Sequence, residues 1–182
     1  MRKIIEWTYI SADGVFEDPI SMGVRDYIMD DAYLRDAVGL FQASDAILLG
    51  RSTYEIFAKM WSGVADGAHP YAARLNTIRK YVFSSSLEMA EWNNSTIVRG
   101  DVTAEVSKFK QQDGGNLLLF GHGLLGETLL QQRLIDVLDL SILPVIVGHG
   151  KPFFREGQAV NLKLAATKCF SKIVKLTYEP QY

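Results

Sequence analysis

Three short segments carry the residues best suited to hold an anion. Gly121-His122-Gly123-Leu124-Leu125 stands between an apolar run and a helical stretch. Glycine lets a ligand approach the backbone closely. A helix start adds free N–H groups and a partial positive charge. The combination suits a pyrophosphate, although a glycine pair at such a junction also serves as a plain tight turn. It is neither the six-residue dinucleotide fingerprint nor a Walker loop. Gly50-Arg51-Ser52-Thr53-Tyr54-Glu55 occupies a second strand-to-helix junction. There Arg51 can fork onto a phosphate while Ser52 and Thr53 donate hydroxyls. The alternative is a helix capped by Ser52 or Thr53, with a surface arginine. Ser84-Ser85-Ser86 leaves a third strand. Its hydroxyls either share a phosphate with Arg51 or form a plain loop. Three anion-friendly strand exits along one sheet edge would fit a phosphate-rich dinucleotide.

The carboxylates are less directive. Asp30 and Asp31 sit at a helix start, where acidic residues favour the N-terminus. Asp13 precedes Gly14 in a turn signal. Either place supplies a proton donor or substrate anchor only where burial raises the pKa. His69, His122, His149 and Cys169 are scattered without metal-ligand spacing, so no metal site is expected. No G-x-S-x-G elbow is present. Cys169 is expected in the core of an apolar strand. Trp7, Trp61 and Trp92 read as packing residues, with an aromatic wall for a flat substrate the alternative for Trp61.

The elements that must position these residues alternate. Strands are expected at Lys3–Ser11, Asp45–Gly50, Lys80–Phe83, Ser95–Val98, Asn116–Phe120 and Ile135–Pro144. Helices are expected at Asp30–Ser44, Ser52–Trp61, Ala73–Ile78, Asp101–Gln112 and Leu124–Gln132. Leu162–Tyr178 reads as one or two further strands at one sheet edge. This order predicts an α/β fold: three layers, αβα, around a largely parallel mixed sheet with antiparallel C-terminal strands. Ligands in such sheets bind beyond the carboxyl ends of the strands.

Composition bounds the rest. The chain has 182 residues, 48% hydrophobic and 22% charged, which suits one globular domain over 1–182 and excludes disorder as the main state. Lys plus Arg number 19 and Asp plus Glu 21, without the basic excess of a duplex binder. The sign is uneven: residues 151–182 hold 6 basic and 2 acidic residues, a pattern that fits a solvated strand pair. One cysteine excludes an internal disulfide framework. No apolar run approaches the roughly 20 residues of a membrane span. The expectation is a cytoplasmic protein with a small-molecule substrate and neither nucleic acid nor membrane as partner.

The ordered set resembles the dihydrofolate reductase-like superfamily, in particular the branch holding the reductase domain of the riboflavin-pathway deaminase-reductase. The matching stretches are Ile10–Gly14, Asp45–Glu55, Lys80–Ser85 and the block Asn116–Phe154. Within that block Leu134-Ile135-Asp136 followed by Leu143–Phe154 is the most specific part. The resemblance implies a stand-alone NADPH-dependent reductase, similar to 5-amino-6-(5-phosphoribosylamino)uracil reductase and dihydrofolate reductase. It implies hydride transfer to a C=O or C=N carbon of a small heterocyclic or sugar-linked substrate. Gly50, Arg51, Ser52, Thr53, Ser84, Ser85 and Ser86 would then hold the adenosine 2′-phosphate. Gly121, His122, Gly123, Leu124 and Leu125 would hold the diphosphate. Ile10 and the turn to Gly14 would line the nicotinamide, and Asp13 and Asp31 would contact substrate or supply a proton. A homodimer through sheet-edge strands is implied as well. Two departures stand out: His122 replaces the usual second glycine, and Phe120 stands where riboflavin-pathway enzymes place an acidic substrate ligand. They motivate two alternatives. One is a catalytically silent NADPH-binding sensor or dimeric scaffold; the other is a site that His122 closes to all but a smaller anion.

Overall fold

The computed structural model describes residues 1–17, 22–65, 67–157 and 159–182. In chain order the strands are β1 (Ile4–Ser11), β2 (Ser44–Gly50), β3 (Arg79–Phe83), β4 (Ser95–Val98), β5 (Asn116–Phe120), β6 (Val137–Leu143), β7 (Asn161–Cys169) and β8 (Val174–Gln181). The helices are α1 (Val24–Ile28), α2 (Asp31–Gln42), α3 (Arg51–Trp61), α4 (Ala72–Thr77), α5 (Val102–Gln111) and α6 (Gly123–Gln131). The strands form one sheet in the order β4-β3-β2-β5-β1-β6-β8-β7. Every neighbouring pair from β4 through β6 is parallel. The two C-terminal strands add as an antiparallel ribbon on β6. This is the mixed three-layer α/β architecture that the strand–helix alternation predicts.

Apolar runs decide which strands lie in the middle. In β5, Leu117, Leu118 and Leu119 are each fully buried, Leu118 toward one layer and its two neighbours toward the other. Burying such a side chain contributes about 1.5–3 kcal/mol relative to leaving it exposed. On one face, Tyr33, Leu34, Ala37 and Phe41 of α2 pack with Tyr54 of α3 and Leu75 of α4 against Trp7, Leu118 and Phe120. On the other, Val106 of α5 and Leu125, Leu129 and Leu130 of α6 pack against Ile4, Leu117 and Leu119. Because β1, β2, β3 and β5 run the same way, all four of their exits open on one sheet edge.

Three local expectations change. Helix α3 starts at Arg51 directly from Gly50, whose extended backbone serves as the cap with no side-chain bond. Ser52 and Thr53 therefore lie inside the helix and do not cap it. Cys169 is exposed, because β7 is the outermost strand and most of its residues face solvent. The apolar letters of β7 imply burial, yet among the described residues no further layer covers it. Helix α1 is too short for periodicity to reveal, and it opens on Gly23 in the left-handed region. Trp7 and Trp92 are buried, and half-buried Trp61 packs against His69 and Tyr71. Among the described residues no helix is long and apolar enough to cross a membrane.

Candidate functional site

The exit of β5 and the start of α3 touch. Gly121 has φ 68°, and a Cβ there would stand 3.0 Å from the Thr53 hydroxyl oxygen. A Cβ on Gly50 would stand 3.9 Å from that of Leu125. Two strand exits and two helix starts are thus packed side by side. Gly123 also has positive φ, 48°, and among the described residues nothing lies within 4 Å on its Cβ side. Helix α6 begins there with no side-chain cap. The first N–H groups of such a helix lack intrahelical partners and favour negative charge. Leu124 projects outward at 80% exposure, whereas Leu125 points into the core.

The third exit joins the same edge through Arg51. Its Nη1 donates to Ser86 Oγ at 2.8 Å, while its Nε donates to Glu55 Oε1 at 2.7 Å. Ser84 Oγ accepts the backbone N–H groups of Ser86 (3.2 Å) and Leu87 (2.9 Å), which folds the serine run into a turn. Arg51, Ser52, Ser85 and Ser86 are exposed. Arg99, which the sequence reading does not single out, donates to the carbonyls of Ser84, Ser85 and Leu87. The signal for it is register: β3 and β4 are parallel with Phe83 opposite Val98, so Arg99 leaves the sheet beside Ser84.

His122 turns inward. Its side chain has no exposure, and its Nδ1 lies 2.6 Å from Oε1 of equally buried Glu6 on β1. Its ring lies 4.2 Å from that of Phe153 and 5.5 Å, edge-on, from that of Phe16. A side chain so placed does not stand over the turn, which speaks against the alternative in which His122 closes the site to a dinucleotide. Phe120 is likewise interior, with rings of Trp7, Phe41 and Phe57 between 5.1 and 5.6 Å away.

Strand β1 pairs with β5 as far as Trp7 opposite Phe120, then runs on to Ser11. Buried Ile10 and the following turn therefore extend past the glycine turn. Asp13 accepts from Ser11 Oγ (2.6 Å), Gly148 N (2.8 Å) and Val147 N (3.2 Å). These bonds, the Ser11 hydroxyl foremost, hold its pKa down to about 2. Of the two roles expected of Asp13, proton supply is the one its surroundings oppose, since it is a carboxylate at neutral pH. Asp30 caps α2 through Tyr33 N and accepts from Ser171 Oγ, which also holds it near 2. Asp31 is exposed in the first turn of α2 and lines a shallow groove with Leu34, Arg35, Val38 and Pro70. The sequence reading missed the backbone donors on Asp13, which lie more than 130 residues away in the chain.

Comparison with known proteins places this geometry. The model of the RibD C-terminal domain matches residues 2–176. The uncharacterized protein YyaP of Bacillus subtilis (strain 168) is 30% identical over 184 residues, covering 97% of this chain and 94% of that one. A protein of Shewanella sp. PV-4 superposes with a TM-score of 0.76 at 17% identity, over 99% of each chain. A Thermotoga maritima diaminohydroxyphosphoribosylaminopyrimidine deaminase/5-amino-6-(5-phosphoribosylamino)uracil reductase superposes with a TM-score of 0.65 at 13% identity. That match covers 99% of this chain and 57% of that one. The fold is dihydrofolate reductase-like, and the chain belongs to the RibD C-terminal domain family.

Proposed function

We propose that this protein is an NADPH-dependent reductase that passes a hydride to a C=O or C=N carbon of a small heterocyclic or sugar-linked substrate. The observation that carries the reading is the convergence of three strand exits. Arg51 reaches Ser86 at 2.8 Å, and Thr53 lies against Gly121 so closely that a Cβ there would crowd its hydroxyl. An adenylated, multiply phosphorylated coenzyme needs such a run of donors along one edge. The residues present fit it: open backbone at Gly123 and an uncapped helix start for the diphosphate, with a guanidinium beside hydroxyls for a further phosphate.

In this reading Arg51, Ser52, Thr53, Ser84, Ser85 and Ser86 hold the 2′-phosphate, and Gly121–Leu125 the diphosphate. His122 contributes through its backbone, because its side chain is committed to Glu6. Ile10 and the turn to Gly14 line the nicotinamide. NADPH, when bound, supplies the hydride, and the protein supplies orientation and electrostatics. Asp13 acts as a fixed anion that shapes the turn beside the substrate, and Asp31 is the exposed carboxylate available for substrate contact. A homodimer through a sheet edge fits β7, where Leu164 is 55% exposed. The test is fluorescence titration with NADPH and NADH. Losing an arginine–phosphate bond costs about 1.5–3 kcal/mol, so Arg51→Ala weakens NADPH by about tenfold or more while changing NADH little. Equal losses for both coenzymes, or no binding by the wild type, would overturn the assignment.

A second reading is favoured by Phe120, an interior aromatic at the position where the resemblance to riboflavin-pathway reductases implies an acidic substrate ligand. It makes the protein a silent NADPH-binding sensor or scaffold. Coenzyme binding without turnover on pterins, pyrimidines and aldoses would select it.

A further inference from the structure

We propose that Arg99 is the positioning residue of the serine loop. It turns the carbonyls of Ser84, Ser85 and Leu87 onto one guanidinium, so that the loop presents donors to a 2′-phosphate and sets the preference for NADPH over NADH. The inference rests on the reading that Arg51 and Ser86 receive that phosphate. It adds a residue that no contact with the coenzyme requires.

A loop that receives an anion must keep its own carbonyl lone pairs away from it. Arg99 Nη1 donates to Ser84 O at 3.3 Å and Ser85 O at 3.1 Å, and Nη2 donates to Leu87 O at 2.8 Å. Three of the four carbonyls between Ser84 and Leu87 are thereby gathered on one cation. From within the loop, Ser84 Oγ takes the N–H groups of Ser86 and Leu87. The hydroxyls of Ser85 and Ser86 then remain for a ligand, and Ser86 already touches Arg51. Carbonyls satisfy the Arg99 fork without neutralising it, so its positive charge stays beside the loop. The sheet makes this reach possible. Ser84 N donates to Val98 O at 3.3 Å, which ties the loop's first residue to the end of β4, one residue before Arg99. A lysine keeps the charge but not the planar fork, so it cannot reproduce the three bonds.

The experiment titrates NADPH, NADH, 2′-AMP and 5′-AMP onto wild type, Arg99→Gln, Arg99→Lys and Arg51→Ala, with thermal midpoints recorded for each. Arg99→Gln and Arg99→Lys are expected to weaken NADPH and 2′-AMP by about tenfold, the equivalent of one good hydrogen-bonded contact, and NADH and 5′-AMP by less than about twofold. In a Ser86→Ala background the effect of Arg99→Gln should shrink to less than about threefold, since Arg99 acts through the loop. If Arg99→Gln fails to fold, Arg99→Lys carries the same comparison. Equal losses for NADPH and NADH overturn the proposal. Full binding by Arg99→Lys also overturns it, because charge alone then suffices. Unchanged binding by both Arg99 variants while Arg51→Ala loses NADPH selectively overturns it and leaves the reductase reading standing. A wild type that binds neither coenzyme overturns both.

Discussion

Glu6 and His122 meet inside the protein, Oε1 to Nδ1 at 2.6 Å, with neither side chain exposed. Their other polar atoms, Glu6 Oε2 and His122 Nε2, are buried without a hydrogen-bond partner among the described residues. Burial raises the Glu6 carboxyl, against the lowering effect of its bond to His122. A carboxyl raised in the folded state lends stability that is full below its ordinary value of 4.5 and lost as pH rises through the folded value. Glu6→Gln keeps a partner for His122 and does not titrate. The difference in thermal midpoint, variant minus wild type, should therefore grow from pH 5 to pH 8. A difference flat across that range would contradict the account.

Gly126 leaves the space this pair occupies. A Cβ there would stand 2.7 Å from His122 Nδ1 and 2.9 Å from Glu6 Oε1. Overpacking of this kind costs about 1–3 kcal/mol. Urea unfolding of Gly126→Ala should show that loss. Combining it with His122→Ala should give a coupling energy beyond about 0.5 kcal/mol, as for residues in direct contact. Strict additivity would mean that the wedge is not felt at His122.

Asp13 straps two loops together. Its carboxylate takes Ser11 Oγ and the N–H groups of Val147 and Gly148, and those bonds hold its pKa at about 2. A depressed carboxyl gives stability that is present above its ordinary 3.8 and lost as pH falls through about 2. Asp13→Asn should speed amide exchange at Val147 and Gly148 at neutral pH and leave Leu118 in β5 unchanged. Wild type and variant should converge in stability below about pH 2. Unaltered exchange at the two amides would show that the strap holds nothing.

Lys80 is fully buried on β3. Its Nζ donates to Ile78 O and Asn93 O and lies 4.3 Å from the Trp92 ring centroid. Burial lowers its pKa to about 8. A lysine depressed in the folded state adds stability that is full above its ordinary 10.5 and lost as pH falls through about 8. Lys80→Met, which has no charge to bury, should therefore improve relative to wild type as pH falls from 10 to 7. Thermal midpoints at three pH values in that range would check the sign.

What could be read from the sequence was whatever depends on neighbours in the chain. Asn116–Phe120 announces a central strand because both of its faces are apolar, and the structure buries both. Gly50-Arg51 and Gly121–Gly123 announce strand exits, because glycine ends one element and a helix begins the next. The glycines also mark the close approach of Thr53 to Gly121. Burial across chain distance was not legible. Glu6 and His122 lie 116 residues apart, and neither type nor spacing pairs them. Cys169 sits among apolar letters, yet among the described residues its strand has no layer above it. Ser52 and Thr53 looked like caps because hydroxyl side chains favour a helix start, but the helix takes up its turn one residue earlier, at Arg51. Asp13 looked like an ordinary turn aspartate. Beside the Ser11 hydroxyl, the return of residues 147 and 148 supplies the two backbone donors that help hold its pKa down.

The position of β1 makes its pairings wait on residues far along the chain. Strand β1 lies between β5 and β6, whose partner residues begin at Leu117 and Val137. Its nearest sheet neighbours are thus synthesised more than a hundred residues later. Pairings of such long sequence separation slow folding, because loop closure must precede the contacts that reward it. Until the second half of the chain emerges, Ile4, Trp7 and Ile10 lack the strands that flank them in the finished sheet.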